Sequence, residues 1–213
     1  MSLVATLLTG RRPHLLERTL TSVETHQPVL ADAWWLVCHN GGDDATWDVL
    51  QRHRSLINQV VVTPHFMPIG QAASYLFHKA LETKQVFLFH LEDDWQAEPN
   101  DWLVEAGKLL QKGTFQVRLR HHDERVLARH MVTNRLIKWK DHGWCQTTDD
   151  AHYTLNPSLM FLDDVRLGFP AMSERDAQRN FWNAGRRQVA QLVPGVWRHT
   201  GEGIESLRRA WPQ

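Results

Sequence analysis

The sequence predicts an α/β fold in which a mostly parallel sheet is flanked by helices. Short apolar runs bounded by turn residues alternate with helical patterns through the first half of the chain, an order typical of β-α-β units. The 213 residues, 42% of them hydrophobic and 23% charged, have ordinary globular composition and suffice for one domain with a proper core. The composition therefore excludes a fibrous or disordered chain.

The first half of the chain alternates predicted strands with predicted helices. Buried strands are predicted at residues 3–8, 34–38, 59–62 and 86–91, and helices at 13–26, 44–53, 70–81 and 99–111. Pro13 suits the first turn of the first helix, where its missing N–H costs nothing. Leu16, Leu20 and Val23 recur at the spacing of one helical face, which makes this helix amphipathic.

Three turns follow these strands at the same end of the predicted sheet. They comprise residues 9–12, 39–44 and 92–94. In such sheets ligands bind beyond the carboxyl ends of the strands, so the three turns should converge on one rim. The sequence therefore predicts the place of a binding site before it predicts the ligand.

The second half of the chain is less regular. Strands are predicted at residues 115–120, 131–139 and 195–199, and a helix at 173–187. No internal repeat, low-complexity segment or linker separates this half from the first. Residues 113–213 are therefore predicted to be a smaller, mixed region of the same single domain.

Glu92, Asp93 and Asp94 stand together where the fourth strand ends. Three adjacent carboxylates repel one another, and their burial is costly without a compensating cation. Carboxylate oxygens suit Mg²⁺ or Mn²⁺, which keep several waters and also bind the phosphates of a substrate. The tripeptide therefore predicts a divalent-metal site, and an acidic turn at the surface is the alternative interpretation.

Four segments, spread in order over about half of the chain, resemble family 2 glycosyltransferases. Residues 9–22, which begin Thr-Gly-Arg-Arg-Pro, resemble the opening turn and helix of that family, and residues 39–46 resemble its Asp-Asn-Gly-Ser turn. Residues 70–74 are similar to its glycine-led helix of small residues. Residues 88–95 resemble the apolar strand that runs into its Asp-x-Asp metal motif.

The resemblance implies a GT-A fold, which is Rossmann-like with an acceptor-side region, and a nucleotide-sugar donor bound by residues 1–112. The residues that it implies in nucleotide binding are Thr9, Arg11, Asn40, Asp43 and Gly70. It also implies that Glu92 and Asp93 support the ribose or the metal and that Asp94 binds the Mn²⁺ or Mg²⁺ ion. The sequence departs from the family at His39, which replaces an aspartate, and at Glu92, which replaces the first aspartate of the metal motif.

The resemblance extends more faintly into the second half. Enzymes of the GT-A fold commonly place an acidic general base at the start of a late helix, where Glu174, or else Asp176, follows a capping Ser173. They also commonly use a later histidine as a metal ligand, and His199 stands just before a glycine turn. The family implies inversion at the sugar in one displacement. The alternatives are that the two acids only cap a helix and that the histidine is structural.

Charge is distributed unevenly along a chain whose formal net charge is zero. Residues 1–106 carry 7 Lys/Arg and 13 Asp/Glu, whereas residues 107–213 carry 17 and 11. The basic excess is steepest over residues 108–142, where Arg118 and Arg120 should share one strand face and cations are interleaved with aromatic residues. This pattern predicts an anionic acceptor: DNA with a hydroxymethylated base presented outside the stack, or otherwise a saccharide. A solvated basic face is the alternative interpretation.

Two other classes of protein are compatible with the sequence. A nucleotidyltransferase that acts on a sugar phosphate could use the same sheet and carboxylates. Such enzymes usually carry a glycine-rich basic loop after the first strand, whereas residues 9–13 contain one glycine. A non-catalytic nucleotide-sugar-binding module is the third class, and the intact carboxylate cluster argues against it.

Cysteine usage and hydropathy predict the compartment. Cys38 and Cys145 are too few for a disulfide framework, which favours a reducing environment. The first apolar run is short and lacks a basic lead-in, and no stretch approaches the about 18 apolar residues of a membrane span. We therefore expect a cytoplasmic protein without a membrane anchor.

Overall fold

The computed structural model describes residues 2–111, 114–120, 136–139, 144–147, 153–186, 189–192 and 195–200. In the first half the strands are β1 (Leu3–Thr9), β2 (Trp34–His39), β3 (Gln59–Val62), β4 (Phe87–Glu92) and β5 (Trp95–Ala97). In the second half they are β6 (Gln116–Arg118), β7 (Leu136–Trp139), β8 (Trp144–Thr147), β9 (Ser158–Phe161), β10 (Val189–Gln191) and β11 (Trp197–His199).

The described helices connect these strands. They are α1 (Pro13–His26), α2 (Asp44–Arg52), α3 (Ile69–Leu81), α4 (Leu103–Gln111), α5 (Val165–Gly168) and α6 (Glu174–Asn183), with one 3₁₀ turn at Pro28–Leu30. Two of them begin at side-chain caps, because Asp43 accepts from the Thr46 amide and Ser173 from the Asp176 amide. Within the ranges given above, no helix is long and apolar enough to cross a membrane.

Nine of the described strands form one sheet in the order β3-β2-β1-β4-β9-β6-β10-β8-β7. Strand β1 lies between β2 and β4 and runs parallel to both. Strands β9 and β8 run antiparallel to their neighbours, while the other strands of this sheet share one direction. The predicted α/β architecture, a mostly parallel sheet flanked by helices, is therefore confirmed.

Helices cover both faces of this sheet, and β1 shows how the sequence directs them. Leu3 and Leu7 point to the face covered by α1, α2 and α4, while Val4 and Leu8 point to the face covered by α3, α5 and α6. Since both faces are buried, every residue of β1 is buried and the strand is an almost continuous apolar run. The polar residues therefore lie mainly in the turns at the ends of the strands.

The two-stranded sheet was not predicted in full. The helix predicted at 99–111 begins only at Leu103, and β5 precedes it. Strand β5 pairs antiparallel with β11, which puts Trp95 opposite His199 and Ala97 opposite Trp197. A strand of three residues is too short for a periodic signal, and its partner lies far away in the chain. The pairing is therefore a tertiary feature that no local pattern predicts.

The second half also contains strands that the sequence did not predict, namely β8, β9 and β10. Each has three or four residues, which again leaves no period to detect. The helix predicted at 173–187 ends earlier, at Asn183. The strand predicted at 131–139 is described only from residue 136, and its earlier part lies outside the described residues.

Candidate functional site

The rim at the carboxyl end of β4 holds the three carboxylates. Strand β4 pairs in parallel with β1, so that Leu8 lies opposite Glu92. Thr9 follows on β1, and its Oγ1 donates to Asp93 Oδ2 at 2.7 Å. The Gly10 amide donates to the same oxygen at 3.2 Å. Two of the turns that were predicted to converge on one rim are therefore in direct contact.

Arg12 bridges the two aspartates of this rim. Its Nη2 donates to Asp93 Oδ1, and its Nη1 donates to Asp94 Oδ2 at 2.9 Å. Burial lowers the pKa of Arg12, but the charges of Asp93 and Asp94 outweigh it and leave that pKa raised. Burial raises the pKa of Asp93 to about 6, against the opposing effect of Arg12. All three side chains are buried, and the single charge of Arg12 offsets part of the charge of the two carboxylates.

His199 lies beside Asp94 because β11 pairs with β5. The His199 Nε2 is 3.3 Å from Asp94 Oδ2. The amide and the hydroxyl of Thr200 both donate to the Asp94 carbonyl oxygen, at 2.8 and 3.1 Å. Burial raises the pKa of Asp94, but the contacts with His199 and Arg12 outweigh burial and lower it overall. The structure thus brings together the two predicted metal ligands.

The chemistry of the Asp94–His199 pair fits a divalent metal. Asp94 Oδ1 is buried and has no hydrogen-bond partner among the described residues, so an ionised oxygen is left for a ligand. A carboxylate oxygen is a ligand that suits Mn²⁺ and Mg²⁺, and an imidazole nitrogen is a common ligand of divalent transition metals. The described residues contain no cluster of three or more metal-ligating side chains. The other ligands would therefore come from a bound diphosphate and from water, as is usual for Mg²⁺.

A second group of ionisable side chains joins the end of β4 to the start of α6. Burial, together with Asp94 and Glu174, raises the pKa of Glu92 well above its ordinary value. Burial, followed by the charges of Glu174 and Glu92, also raises the pKa of the Tyr153 phenol. Burial lowers the pKa of Arg118 to about 10, although Glu174 opposes this shift. Glu92, Tyr153 and Arg118 are therefore all close enough to Glu174 to interact with its charge.

The two candidate bases on α6 have different surroundings. Glu174 Oε1 accepts from Thr154 Oγ1 at 3.2 Å and from the Leu155 amide. Asp176 instead belongs to the helix cap, where its Oδ2 accepts from Ser173 Oγ at 2.9 Å and its amide donates to the same hydroxyl at 3.2 Å. The exposed Glu174 therefore lies close to Glu92, Tyr153 and Arg118, whereas the half-buried Asp176 stays at the cap.

Asn40 and Asp43 stabilise the turn after β2. Asn40 Oδ1 accepts from the Met67 amide at 2.9 Å and from Thr63 Oγ1 at 3.0 Å, while its Nδ2 donates to the Met67 carbonyl at 2.9 Å. Asp43 Oδ1 accepts from the Thr46 amide at 2.8 Å and so caps α2. These hydrogen bonds of both side chains lie within the protein. Both residues therefore act on the rim by fixing the shape of this turn.

Phe66 packs over the two turns that carry the predicted nucleotide contacts. A Cβ on Gly10 would lie 3.0 Å from the Phe66 ring, and one on Gly41 would lie 2.9 Å from Phe66 Cβ. Gly41 also has a φ of 87°, which favours glycine. Arg11 is exposed, and its guanidinium carbon lies 5.2 Å from the centroid of the Phe66 ring. An exposed cation and an aromatic ring therefore border this side of the rim.

Gly70 lies at the start of α3, against the segment that leads into α6. A Cβ at this position would lie 2.1 Å from the Met172 carbonyl oxygen and 2.6 Å from the Ser173 amide nitrogen. One turn later, Ser74 Oγ donates to the Ala171 carbonyl at 2.8 Å and accepts from the Ala171 amide at 3.0 Å. Helix α3 therefore holds the backbone just before α6 in place, a role for Gly70 that the sequence did not predict.

Gly70→Ala is expected to lower the free energy of unfolding by about 1–3 kcal/mol, because the added methyl group meets backbone atoms that cannot rotate away. Gly107→Ala in α4 is the matched control. Nothing lies within 4 Å of a Cβ at Gly107, so this change should raise the free energy of unfolding by about 1 kcal/mol through helix propensity. Urea unfolding measures both variants. A Gly70→Ala protein as stable as the unsubstituted chain would contradict the close packing of α3 on Met172.

Sequence reasoning missed the roles of two arginines at the rim. The signal for Arg12 was present, because buried carboxylates on one strand need a counter-charge and the turn after the neighbouring strand supplies it. Arg118 was expected to share a strand face with Arg120, but Arg118 is half-buried and lies close enough to Glu174 to interact with its charge, whereas Arg120 is exposed. Much of the basic segment 108–142 lies outside the described residues.

Comparisons with known proteins bear on the fold. No family profile matches the chain, and no curated protein matches its sequence. A structure of TarS from S. aureus in complex with UDP-GlcNAc superposes with a TM-score of 0.68 at 13% identity, over 100% of this chain and 62% of that one. The mannosyltransferase PcManGT from Pyrobaculum calidifontis, in complex with GDP-Man and Mn²⁺, superposes with a TM-score of 0.68 at 15% identity. The superposition covers 95% of this chain and 58% of that one.

A third structure extends the comparison. GalNAc-T7 with UDP, GalNAc and Mn²⁺ gives a TM-score of 0.62 at 12% identity, over 92% of this chain and 44% of that one. The chain thus spans 62% or less of the length of each of these three structures. At such identities the likeness shows the fold alone, and it confirms the expected GT-A architecture.

Proposed function

We propose that the chain is a metal-dependent glycosyltransferase that moves a sugar, with inversion, from a nucleotide-sugar donor to an acceptor hydroxyl. The Asp94–His199 pair carries this proposal, because it lies at the carboxyl ends of parallel strands and keeps one buried oxygen without a partner among the described residues. The structures of the same fold in complex with UDP-GlcNAc and GDP-Man support a nucleotide-sugar donor.

In this proposal residues 1–112 bind the donor and residues 113–213 bind the acceptor. Arg11 offers an exposed guanidinium to the nucleotide. Asn40 and Asp43 contribute indirectly, by fixing the turn after β2. Thr9 orients Asp93, and Gly70 holds the backbone that leads to the proposed base. All four residues act indirectly, because their hydrogen bonds and packing lie within the protein.

Asp94 and His199 would hold the Mn²⁺ or Mg²⁺ ion. A bound divalent cation neutralises the charge that develops on a departing nucleoside diphosphate. Arg12 holds Asp94 Oδ2 in a fixed position and leaves Oδ1 without a partner among the described residues. Asp93 supports the site through its ion pair with Arg12, and Glu92 adds a further carboxyl group at the same rim.

Glu174 is the proposed general base. The acceptor hydroxyl gives its proton to a Glu174 carboxylate oxygen while the acceptor oxygen bonds to the anomeric carbon. The bond between that carbon and the diphosphate oxygen breaks in the same displacement, and the nucleoside diphosphate leaves with the electron pair. Thr154 and Leu155 orient the carboxylate, and Arg118 supplies a positive charge close to it.

Glu174→Gln is expected to lower kcat for transfer by roughly 10²–10⁴-fold, the usual contribution of a general base, with little change in donor affinity. Asp176→Asn is the matched control, because it also neutralises an acid on the first turn of α6. It should keep the Ser173 cap and most of the activity. Steady-state kinetics of both variants measure the effect. If Asp176→Asn is the impaired variant, the two roles are exchanged.

The function itself is tested by incubating the protein with a panel of radiolabelled nucleotide sugars and looking for metal-dependent release of free sugar, which needs no acceptor. With inorganic diphosphate added, a nucleotidyltransferase would instead convert the nucleotide sugar and diphosphate into a nucleoside triphosphate and a sugar 1-phosphate. A binding module would retain a nucleotide sugar without cleaving it. The three classes of protein therefore give different products in one set of reactions.

The acceptor is proposed to be anionic, with a hydroxymethylated base in DNA and a saccharide as the two candidates. The support is the basic excess of residues 108–142. Binding of the protein to hydroxymethylated and plain duplex DNA at increasing salt separates them, since phosphate contacts give a log–log slope of about −0.9 per contact. No binding at low salt would exclude DNA and leave the saccharide.

A further inference from the structure

Arg120 stands beside the Asp94–His199 pair. Its guanidinium carbon lies 5.5 Å from the centroid of the Trp95 ring. The same Trp95 ring meets the His199 ring edge-on, with the centroids 4.9 Å apart. A cation stacked on a buried indole is therefore one aromatic ring away from the proposed metal site.

The backbone at Arg120 is held by two other parts of the chain, Gln191 and residues 196–197. Its carbonyl accepts from Gln191 Nε2 at 2.9 Å, and Arg120 forms a parallel β-bridge with Trp197. The preceding carbonyl, of Leu119, accepts from the amides of Val196 and Trp197 at 2.7 and 3.1 Å. Both the backbone and the ring beneath the guanidinium are therefore held by the protein. Such a side chain is preorganised to bind a ligand.

The charge of Arg120 has no carboxylate partner in the described part of the chain, unlike that of its neighbours. Arg12 pairs with Asp93 and Asp94, and Arg198 pairs with Glu98 at 2.6 Å. Partial burial lowers the pKa of Arg120, and no carboxylate of the described residues offsets that effect. A guanidinium that stands over an indole ring and is not paired with a carboxylate of the described residues is suited to an anionic ligand.

We propose that Arg120, held against Trp95, binds phosphate oxygens of a substrate next to the metal site. This inference rests on the proposed function. The phosphate has two sources, namely the diphosphate of the donor or a phosphate group carried by the acceptor. In both cases the guanidinium offers its N–H donors in a fixed plane, while the stack on Trp95 limits the entropy lost on binding.

The test is calorimetric binding with Arg120→Ala, and Arg198→Ala is the matched control because Arg198 is already paired with Glu98. The probes are UDP, GDP and inorganic diphosphate, each with Mn²⁺, followed by glycerol 3-phosphate added to the protein loaded with nucleotide. If the donor supplies the phosphate, Arg120→Ala weakens diphosphate binding by about 10- to 100-fold. If the acceptor supplies it, only binding of glycerol 3-phosphate falls. Arg198→Ala changes each affinity by less than about twofold.

The melting temperature of each variant, measured alongside, excludes a loss of binding through unfolding. Unchanged affinities of folded Arg120→Ala for every probe that the unsubstituted protein binds would overturn the assignment. If the unsubstituted protein binds none of the diphosphates with Mn²⁺, the proposed function fails first, and the role of Arg120 fails with it. The two failures are distinguishable because the first appears without any substitution.

Discussion

Asp94→Asn is expected to reduce transfer by about 10³-fold or more while leaving the protein folded. The metal is the group that neutralises the leaving diphosphate, a contribution of several kcal/mol to the barrier. Asparagine keeps an acceptor for Arg12 Nη1, but it removes the charge that a divalent cation requires. The measurement is the initial rate of donor hydrolysis at saturating Mn²⁺, compared with the unsubstituted protein.

The control for this loss is Asp163→Asn. The Asp163 side chain is 95% exposed, and its Oδ1 lies 3.8 Å from Arg166 Nε. Neutralising this carboxylate should therefore change neither activity nor stability measurably. A chelator added to the unsubstituted protein should reproduce the loss seen in Asp94→Asn. Full activity of Asp94→Asn in the presence of excess chelator would show that the reaction does not depend on this carboxylate.

Arg12→Met is expected to cost about 3–5 kcal/mol of unfolding free energy, because it leaves Asp93 and Asp94 as buried charges without their cation. That cost is comparable to the whole stability of many domains. The matched control is Arg52→Met, which breaks an exposed ion pair with Glu17 and should cost about 0–1 kcal/mol. Urea unfolding at neutral pH measures both values.

The pH dependence of the Arg12→Met protein has a definite sign. Without Arg12 the folded-state pKa of Asp93, already raised by burial to about 6, should rise further above its unfolded value. The buried, ionised Asp93 then destabilises the folded variant above that pKa. This destabilisation disappears as the pH falls through the pKa and the carboxylate takes up a proton. The difference in stability from the unsubstituted protein should therefore shrink on acidification. Where Arg12→Met alone does not fold, the double variant with Asp93→Asn should recover part of the stability.

Equally small losses of unfolding free energy in Arg12→Met and Arg52→Met would contradict the assignment of Arg12, Asp93 and Asp94 to a buried ion-pair cluster. They would mean that water or a bound ion compensates the two aspartates as well as the guanidinium does. The Arg52 variant makes this comparison strict, since both substitutions remove an arginine from an ion pair with a carboxylate.

The first half of the fold could be predicted because its information is local. The helix predicted at 13–26 begins and ends where α1 does, and the strand predicted at 59–62 coincides with β3. In both segments a periodic pattern or an apolar run is bounded by proline or polar residues, so that neighbours in the sequence decide the structure. The carboxylates of residues 92–94 could be placed at the rim for the same reason.

The rest of the site depends on contacts between distant segments, which no local pattern contains. His199 reaches Asp94 only through the pairing of β5 with β11, and β5 was not predicted. Arg118 could not be distinguished from an exposed strand residue, because its burial follows from the place of β6 in the interior of the sheet. Arg12 was missed because a carboxylate cluster was interpreted as a metal site alone, whereas an arginine on the adjacent turn partly neutralises it.

The measurement that tests the central claim most directly is Mn²⁺ binding followed by electron paramagnetic resonance, with UDP and with GDP. The claim is that Asp94 and His199 form a metal site that takes a nucleoside diphosphate. The expected result is one Mn²⁺ bound per chain only when one of these nucleotides is present, with binding lost in Asp94→Asn and in His199→Ala and retained in Asp163→Asn. Mn²⁺ and nucleotide bound by Asp94→Asn as tightly as by the unsubstituted protein would contradict it.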